Sequence, residues 1–239
     1  LRQKNINAAE AVFGEATRQQ AGDVLAQIGL ARCRALSAAS PPGARSEAAP
    51  ATVVCVKHGD KYGPEYVNRL HAMVRRNAAS IPGFVCFTEN AEGLDAGIQV
   101  QPLPGAGLAG WWNKVALFRR DLAGVEGRVL YLDLDVVVTG NLDPLLCHPG
   151  DFVIMDNDYV PGFNSSVMLF EAGARSGIFE DFSEADMERL DGDQDWIALK
   201  APDAELWPHL WCVPYRLRAA IAPPAETKVV AFSGRPNPS

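Results

Sequence analysis

Apolar residues follow two different rhythms along this chain. Over residues 1–38, Ala8, Ala9, Val12, Phe13, Ala16, Ala21, Val24, Leu25 and Ile28 recur among polar neighbours at intervals typical of a helix face. That spacing predicts helix, with Gly22 and Gly29 breaking or ending turns. From Thr52 onward the pattern changes to short apolar runs separated by helical stretches. Residues 52–56, 84–88, 98–100, 128–132, 152–155 and 166–170 read as strands. The longer of these are near-continuous apolar runs, as strands buried on both faces require. Residues 64–77 carry Val67, Leu70, Met73 and Val74 on one helical face, and 111–122 carry Trp111, Val115, Phe118 and Leu122. Both predict helices, with shorter helical pieces at 185–190 and 196–199. Strand and helix alternate most regularly in the first half, which predicts an α/β domain with a mostly parallel sheet and helices on both faces.

Residues 39–50 lie in a stretch rich in Ala, Ser, Pro and Gly that contains Pro41-Pro42-Gly43, and they read as a linker. The main domain is then 51–239, with 1–38 as a helical extension. That extension packs on the domain, mediates dimer contacts, or belongs to a larger region. A chain of 239 residues with 48% apolar content suffices for one α/β domain and such an appendage.

A net charge of −7 argues against nucleic-acid binding, which needs a basic face. Only Arg75-Arg76 and Arg119-Arg120 are adjacent basic pairs, leaving room for a local basic pocket. The five cysteines are odd in number, with no C-x-x-C pair on which to build a zinc site. Cys55 and Cys86 sit in apolar runs and read as reduced core residues, which fits a reducing cytoplasm. No apolar run reaches membrane-spanning length and no secretory signal is present, so the expectation is a soluble cytoplasmic protein, or one peripheral at a membrane.

The densest chemical signal is Asp133-Leu134-Asp135, which closes the run Arg128-Val129-Leu130-Tyr131-Leu132. Side chains alternate along a strand, so Asp133 and Asp135 point the same way and Leu134 to the opposite face. Two carboxylates at the end of a buried strand repel each other and lose hydration unless a cation sits between them. A hard divalent ion, Mg²⁺ or Mn²⁺, suits such a pair and leaves positions open for phosphate oxygens. In parallel sheets ligands bind at the carboxyl ends of strands, where this pair falls. The plainer alternative is that one Asp caps a turn and the other pairs with a basic side chain.

Five segments then follow in order: a first strand tip carrying Lys57, His58 and Tyr62; Gly110-Trp111-Trp112-Asn113-Lys114; Asp133-Leu134-Asp135; Asn164-Ser165-Ser166; and Gly192-Asp193-Gln194-Asp195-Trp196. Together they resemble the metal-dependent, nucleotide-sugar glycosyltransferases of the glycogenin and lipopolysaccharide galactosyltransferase type. The resemblance runs from about Thr52 to Pro238. It implies a single Rossmann-like glycosyltransferase A domain with a mostly parallel mixed sheet. It further implies transfer of a sugar, with retention, from a nucleotide diphosphate donor such as a UDP-sugar to a hydroxyl of a glycan, lipid-linked glycan or protein. On that likeness Lys57, His58, Tyr62, Lys114, Gly234 and Arg235 serve the donor. Asp133 and Asp135 bind Mn²⁺ or Mg²⁺, and Asn164, Ser165 and Ser166 face the acceptor. Asp193, Gln194 and Asp195 lie near the reacting carbon.

Each of these has a structural alternative. Tyr62 and Tyr66 can pack a helix start, Lys114 can be a solvated helix lysine, and Trp111-Trp112 can anchor the helix. Asn164-Ser165-Ser166 can be a polar turn before a strand, and Asp193-Gln194 can begin a helix. One departure stands out. The family's C-terminal segment carries a metal-ligand His and a phosphate-binding Lys, whereas here Ala231 and Ser233 hold the two His positions and Asn237 the Lys position. A water can replace the His, Arg235 can supply part of the lost charge, and His209 is a candidate substitute ligand. Asp156 and Asp158 form a second D-x-D, read as acceptor-side or structural. Two rivals remain open: a sugar nucleotidyltransferase, and a nucleotide-sugar binder without turnover.

Overall fold

A computed structural model describes residues 2–38, 51–79, 83–105, 107–232, 234 and 236–238. The expected linker at 39–50 lies outside the described residues. In chain order the elements are α1 (Arg2–Gln19), α2 (Val24–Ala38), β1 (Thr52–Lys57), α3 (Pro64–Asn77), β2 (Phe84–Thr88) and β3 (Gln99–Gln101). After a 3₁₀ helix (Gly110–Phe118) come β4 (Arg128–Leu132), β5 (Val136–Val138), α4 (Asp143–Leu146), β6 (Phe152–Asp156) and β7 (Phe163–Glu171). The chain closes with α5 (Gly177–Glu180), α6 (Glu184–Arg189), α7 (Asp193–Lys200), β8 (Glu205–Leu206), β9 (Cys212–Pro214), a π-helical turn (Tyr215–Ala219) and β10 (Val229–Ala231).

Seven strands form one sheet in the order β3-β2-β1-β4-β7-β6-β8. The pairs from β3 to β4 are parallel, and β7 runs antiparallel to both β4 and β6. β8 pairs parallel with β6, so the sheet is mixed and mostly parallel, with β7 the one antiparallel strand among the described residues. A second sheet, β5-β10-β9, folds against the end of β4. Alternation along β1 sends Val54 and Val56 to one core and Val53 and Cys55 to the other. Both faces are thus covered, which explains why the strands are apolar without interruption. Among the described residues no helix is long and apolar enough to cross a membrane.

The N-terminal region is helical, but as a hairpin of two helices. The chain turns at Gly22, and the carboxylate of Asp23 accepts from the Ala26 N–H at 2.9 Å to cap α2. Gly29, expected to break or end a turn, instead lies buried inside α2. A Cβ at that position would come within 2.6 Å of the Phe13 ring. Its absence lets α1 and α2 approach closely, so this glycine serves packing. The hairpin docks on the domain: Ile28 is fully buried in its core, and the Arg32 guanidinium sits 4.3 Å from the centre of the Phe163 ring.

Two other expectations are corrected. The helix over 111–122 is a 3₁₀ helix that ends at Phe118. Three residues per turn stack i and i+3, and Trp112, Val115 and Phe118 at that spacing are all buried. The 3.6-residue stripe through Trp111 does not exist; Trp111 leaves the apolar face. Asn164-Ser165-Ser166 is not a turn but part of β7. There the register against β6 shifts between Ile154 and Met155, an irregularity that bends the strand and re-aims its side chains.

Candidate active site

A cavity of about 410 Å³ opens where the carboxyl ends of β1 and β4 meet the 3₁₀ helix, the start of β7 and the N-terminus of α7. The strand β4 stops at Leu132, so Asp133-Leu134-Asp135 forms a turn into β5, not the strand continuation that the alternation suggests. Both carboxylates still line the cavity. The Asp133 N–H donates to the Ser166 carbonyl and the Phe232 N–H to the Asp135 carbonyl, which pins the turn from both sides.

The two carboxylates are held separately. Asp133 accepts from Lys114 Nζ at 2.9 Å and from the Tyr131 hydroxyl at 2.6 Å. Asp135 accepts from the Tyr62 hydroxyl at 2.8 Å. Lys114 also donates to Ser165 Oγ at 3.1 Å and lies 3.9 Å from Asp193 Oδ2. Its side chain is only 12% exposed, so it is no solvated helix lysine. Burial alone would favour the neutral amine, but Asp133 and Asp193 outweigh it and hold the ammonium above its ordinary range. Burial and the neighbouring Asp133 push Asp135 up to about 6, against the Tyr62 hydrogen bond and Lys114. Burial raises Asp193 as well. Both tyrosine hydroxyls are raised, by burial and by the carboxylates they bond, so they stay protonated as donors.

Of the candidate residues, His58, Tyr62, Lys114, Asp133, Asp135, Asn164, Ser165, Ser166, Asp193 and Gln194 line this one cavity. Lys57 is buried in β1 and is not part of its wall. Asp195 accepts from the Asp191 N–H at 3.2 Å, also off the wall. Gly234 is exposed, with a left-handed φ of 78°, and Arg235 and Ser233 lie outside the described residues. His209 is exposed and does not reach the cavity. Asp158 pairs with Arg218 at 2.7 Å, and neither it nor Asp156 lines the cavity, so the second D-x-D is structural.

Lining residues to which the sequence reading gave no site role include Lys61, Asn113, Tyr131, Asp191, Phe232 and, as a cavity residue, Trp111. The tryptophan pair divides its work. Trp112 is buried with its ring 5.1 Å from Phe182, while Trp111 is 55% exposed on the cavity wall. The signal was the three-residue period. Two buried acceptors, Asn113 Oδ1 and Asp193 Oδ2, have no hydrogen-bond partner. Buried polar atoms left in this state are costly.

Among the described residues that line the cavity, the four carboxylates of Asp133, Asp135, Asp191 and Asp193 outnumber the two lysines, Lys61 and Lys114, and leave it negative. Ala231 pairs with Val136 directly after the turn and is buried in the core, while the next residue, Phe232, lines the cavity; Ser233, the other position considered for the His, lies outside the described residues. Among the described residues no cluster of three His, Cys, Asp or Glu side chains offers a closed metal cage. Two carboxylates at an open cavity nevertheless fit a divalent ion that keeps waters and shares phosphate oxygens with a substrate.

No family model and no curated protein matches this sequence. Solved structures do match. The glycosyltransferase GlyE of Streptococcus pneumoniae TIGR4 superposes with a TM-score of 0.60 at 17% identity, over 78% of this chain and 56% of that one. The galactosyltransferase LgtC, in complex with donor and acceptor sugar analogues, superposes with a TM-score of 0.57 at 16% identity, over 78% of this chain and 88% of that one. The fold is the glycosyltransferase A fold. This chain spans little more than half the length of GlyE. In the A-type fold, the cavity occupies the crevice at the carboxyl ends of the central parallel strands.

Proposed function

We propose that this protein transfers a sugar from a nucleotide diphosphate donor, a UDP-sugar, to an acceptor hydroxyl, with metal assistance and retention at the anomeric carbon. The observation that carries the reading is the negative cavity in which Asp135 is held near 6 beside Asp133 and Lys114. A diphosphate could enter such a cavity only together with a cation. Asp133 and Asp135 would hold Mn²⁺ or Mg²⁺ jointly with the donor, and the ion would supply Lewis-acid stabilisation of the departing diphosphate.

The protein's own groups do the rest. Lys114 donates to Asp133 and adds a fixed positive charge beside the leaving group. Ser165 and Asp193 hold that ammonium in place. Asn113 and Asp193, which line the cavity, orient the donor sugar and its reacting carbon. Asp193 also places negative charge near the sugar ring as positive charge grows there. Asn164, Ser166 and Gln194 offer polar contacts to the acceptor. Trp111 presents an exposed ring against which an apolar sugar face can pack.

Purified protein incubated with Mn²⁺ and a panel of uridine and guanosine diphosphate sugars tests this. Mn²⁺-dependent release of UDP from one donor is expected. Release of pyrophosphate would instead point to nucleotidyl transfer. A second reading, a donor binder without turnover, draws on Ala231 and Ser233 at the two His positions and Asn237 at the Lys position of the resemblance. It predicts saturable UDP-sugar binding with no product. Trp111→Ala should raise the acceptor KM by about tenfold, since an aromatic contact is worth ~0.5–1.5 kcal/mol beyond area burial. Its exposed position leaves thermal stability nearly unchanged. An unaltered KM for every substrate would remove Trp111 from the binding site.

A further inference from the structure

A second cavity, of about 260 Å³, lies behind the D-x-D turn. One wall is a face of α3: Arg69, Ala72, Met73 and Arg76 recur at helical spacing and all line it. The opposite wall is Leu134, Val136 and Val137. The other side of α3, with Val67, Leu70, His71 and Val74, is buried in the core, so this face is the one left open. The small side chain of Ala72 between the two arginines forms the dip.

The charge here is unlike the rest of the molecule. The chain carries −7 overall and the first cavity is acidic, yet Arg69 and Arg76 are exposed at the rim of this one and form no ion pair among the described residues. Arg69 instead lies 5.7 Å from the centre of the Tyr66 ring. Unpaired guanidinium groups favour phosphate, which they bind through charge-assisted and often bidentate hydrogen bonds. The floor between them is apolar: Met73, Leu134 and Val136. A cavity of this size exceeds the ~150 Å³ that accommodates a benzene-sized molecule.

We propose that this groove is a second ligand site, built for an apolar chain that ends in a phosphate. The phosphate sits at the Arg69–Arg76 rim and the chain lies along Met73, Leu134 and Val136. The site is separate from the glycosyl-transfer cavity but shares Leu134 with it, because Leu134 lines both. The Tyr66 ring packs 4.8 Å from Tyr62, whose hydroxyl bonds Asp135. An occupant therefore touches the same turn that presents the two carboxylates, from its rear.

Isothermal titration of the whole protein with hexyl phosphate tests the assignment independently of any sugar transfer. Saturable one-to-one binding is expected, undisplaced by UDP. The double variant Arg69→Ala/Arg76→Ala should weaken it by more than about tenfold, since both charged donors are lost. Ala72→Leu, which fills the dip, should weaken it comparably while leaving folding intact. Inorganic phosphate and neutral hexyl glucoside should each bind far less well. Equal affinity of the double variant, equal binding of either control compound, or displacement by UDP would overturn the proposal, as would absence of binding. Flotation with phosphatidylcholine vesicles containing phosphatidic acid separates two sources of the same chemistry. Arginine-dependent recruitment identifies a bilayer lipid, and soluble binding without recruitment identifies a free phosphate ester.

Discussion

Lys114→Met is expected to be the most damaging single substitution in this protein. Lys114 is buried between Asp133 at 2.9 Å and Asp193 at 3.9 Å, with Asp135 close by. Removing one partner of a buried ion pair leaves its carboxylates uncompensated, at a cost of about 3–5 kcal/mol. Methionine keeps the length and the apolar stem, so the loss reports on charge more than on volume. Turnover should fall by at least ~100-fold, the scale for removing one preorganised group that stabilises developing charge. Urea unfolding and donor hydrolysis measure the two effects. The stability deficit should narrow as pH falls, because the stranded carboxylates can then take up protons. A variant as stable as wild type at neutral pH would mean that the cluster is not a charge-balanced unit.

Asp135→Asn carries the second large effect, with the opposite consequence for stability. Metal-dependent turnover should vanish, since an amide is a poor ligand for a hard divalent ion. The fold should persist and even gain. Asp135 sits near 6 in the folded protein against 3.8 for an ordinary Asp, so folding disfavours its ionised form. The folded state therefore binds more protons than the unfolded chain between those values, and stability falls as pH rises through that window. The full shift corresponds to a ceiling of about 3 kcal/mol, reduced because the residue is partly exposed. Asn removes that cost above pH 6. In the wild type the same titration means weak Mn²⁺ affinity below pH 6 and stronger affinity above it. Melting temperatures at pH 5 and 7.5, with and without Mn²⁺, should show an Mn²⁺-induced rise mainly at the higher pH in the wild type and none in the variant. Metal-dependent sugar release by Asp135→Asn would exclude this carboxylate as a ligand.

The parts of the fold that were legible in the sequence are those where burial dictates composition. β1, β2 and β4 are apolar without interruption because both sheet faces are covered, and α3 shows a single apolar stripe because one face is. Asp133 and Asp135 were legible for the converse reason: charge directly after such a run needs a local explanation. The 3₁₀ helix was misread because Trp111, Val115, Phe118 and Leu122 also satisfy a 3.6-residue period. Only the tertiary contacts of Trp112, Val115 and Phe118 select the tighter winding. Asn113 gave no signal, since an amide between tryptophan and lysine looks like any polar helix position. The strand position of Asn164-Ser165-Ser166 was hidden by the register shift against β6, which no local pattern encodes. Lys114 was marked by family likeness alone; its burial follows from the side chains of Asp133, Ser165 and Asp193 gathered round its ammonium from the end of β4, from β7 and from α7.

The Arg32 clamp gives the leading hairpin a mechanical duty. Its guanidinium donates to the carbonyls of Pro202 and Ala204, just past α7, and covers Phe163, one residue before Asn164. The segments that carry two walls of the first cavity are thus braced from outside by a helix far upstream in the chain. Trimming the protein to start at Ala51 would strip that brace and uncover the berth of Ile28, leaving the cavity between walls free to drift apart.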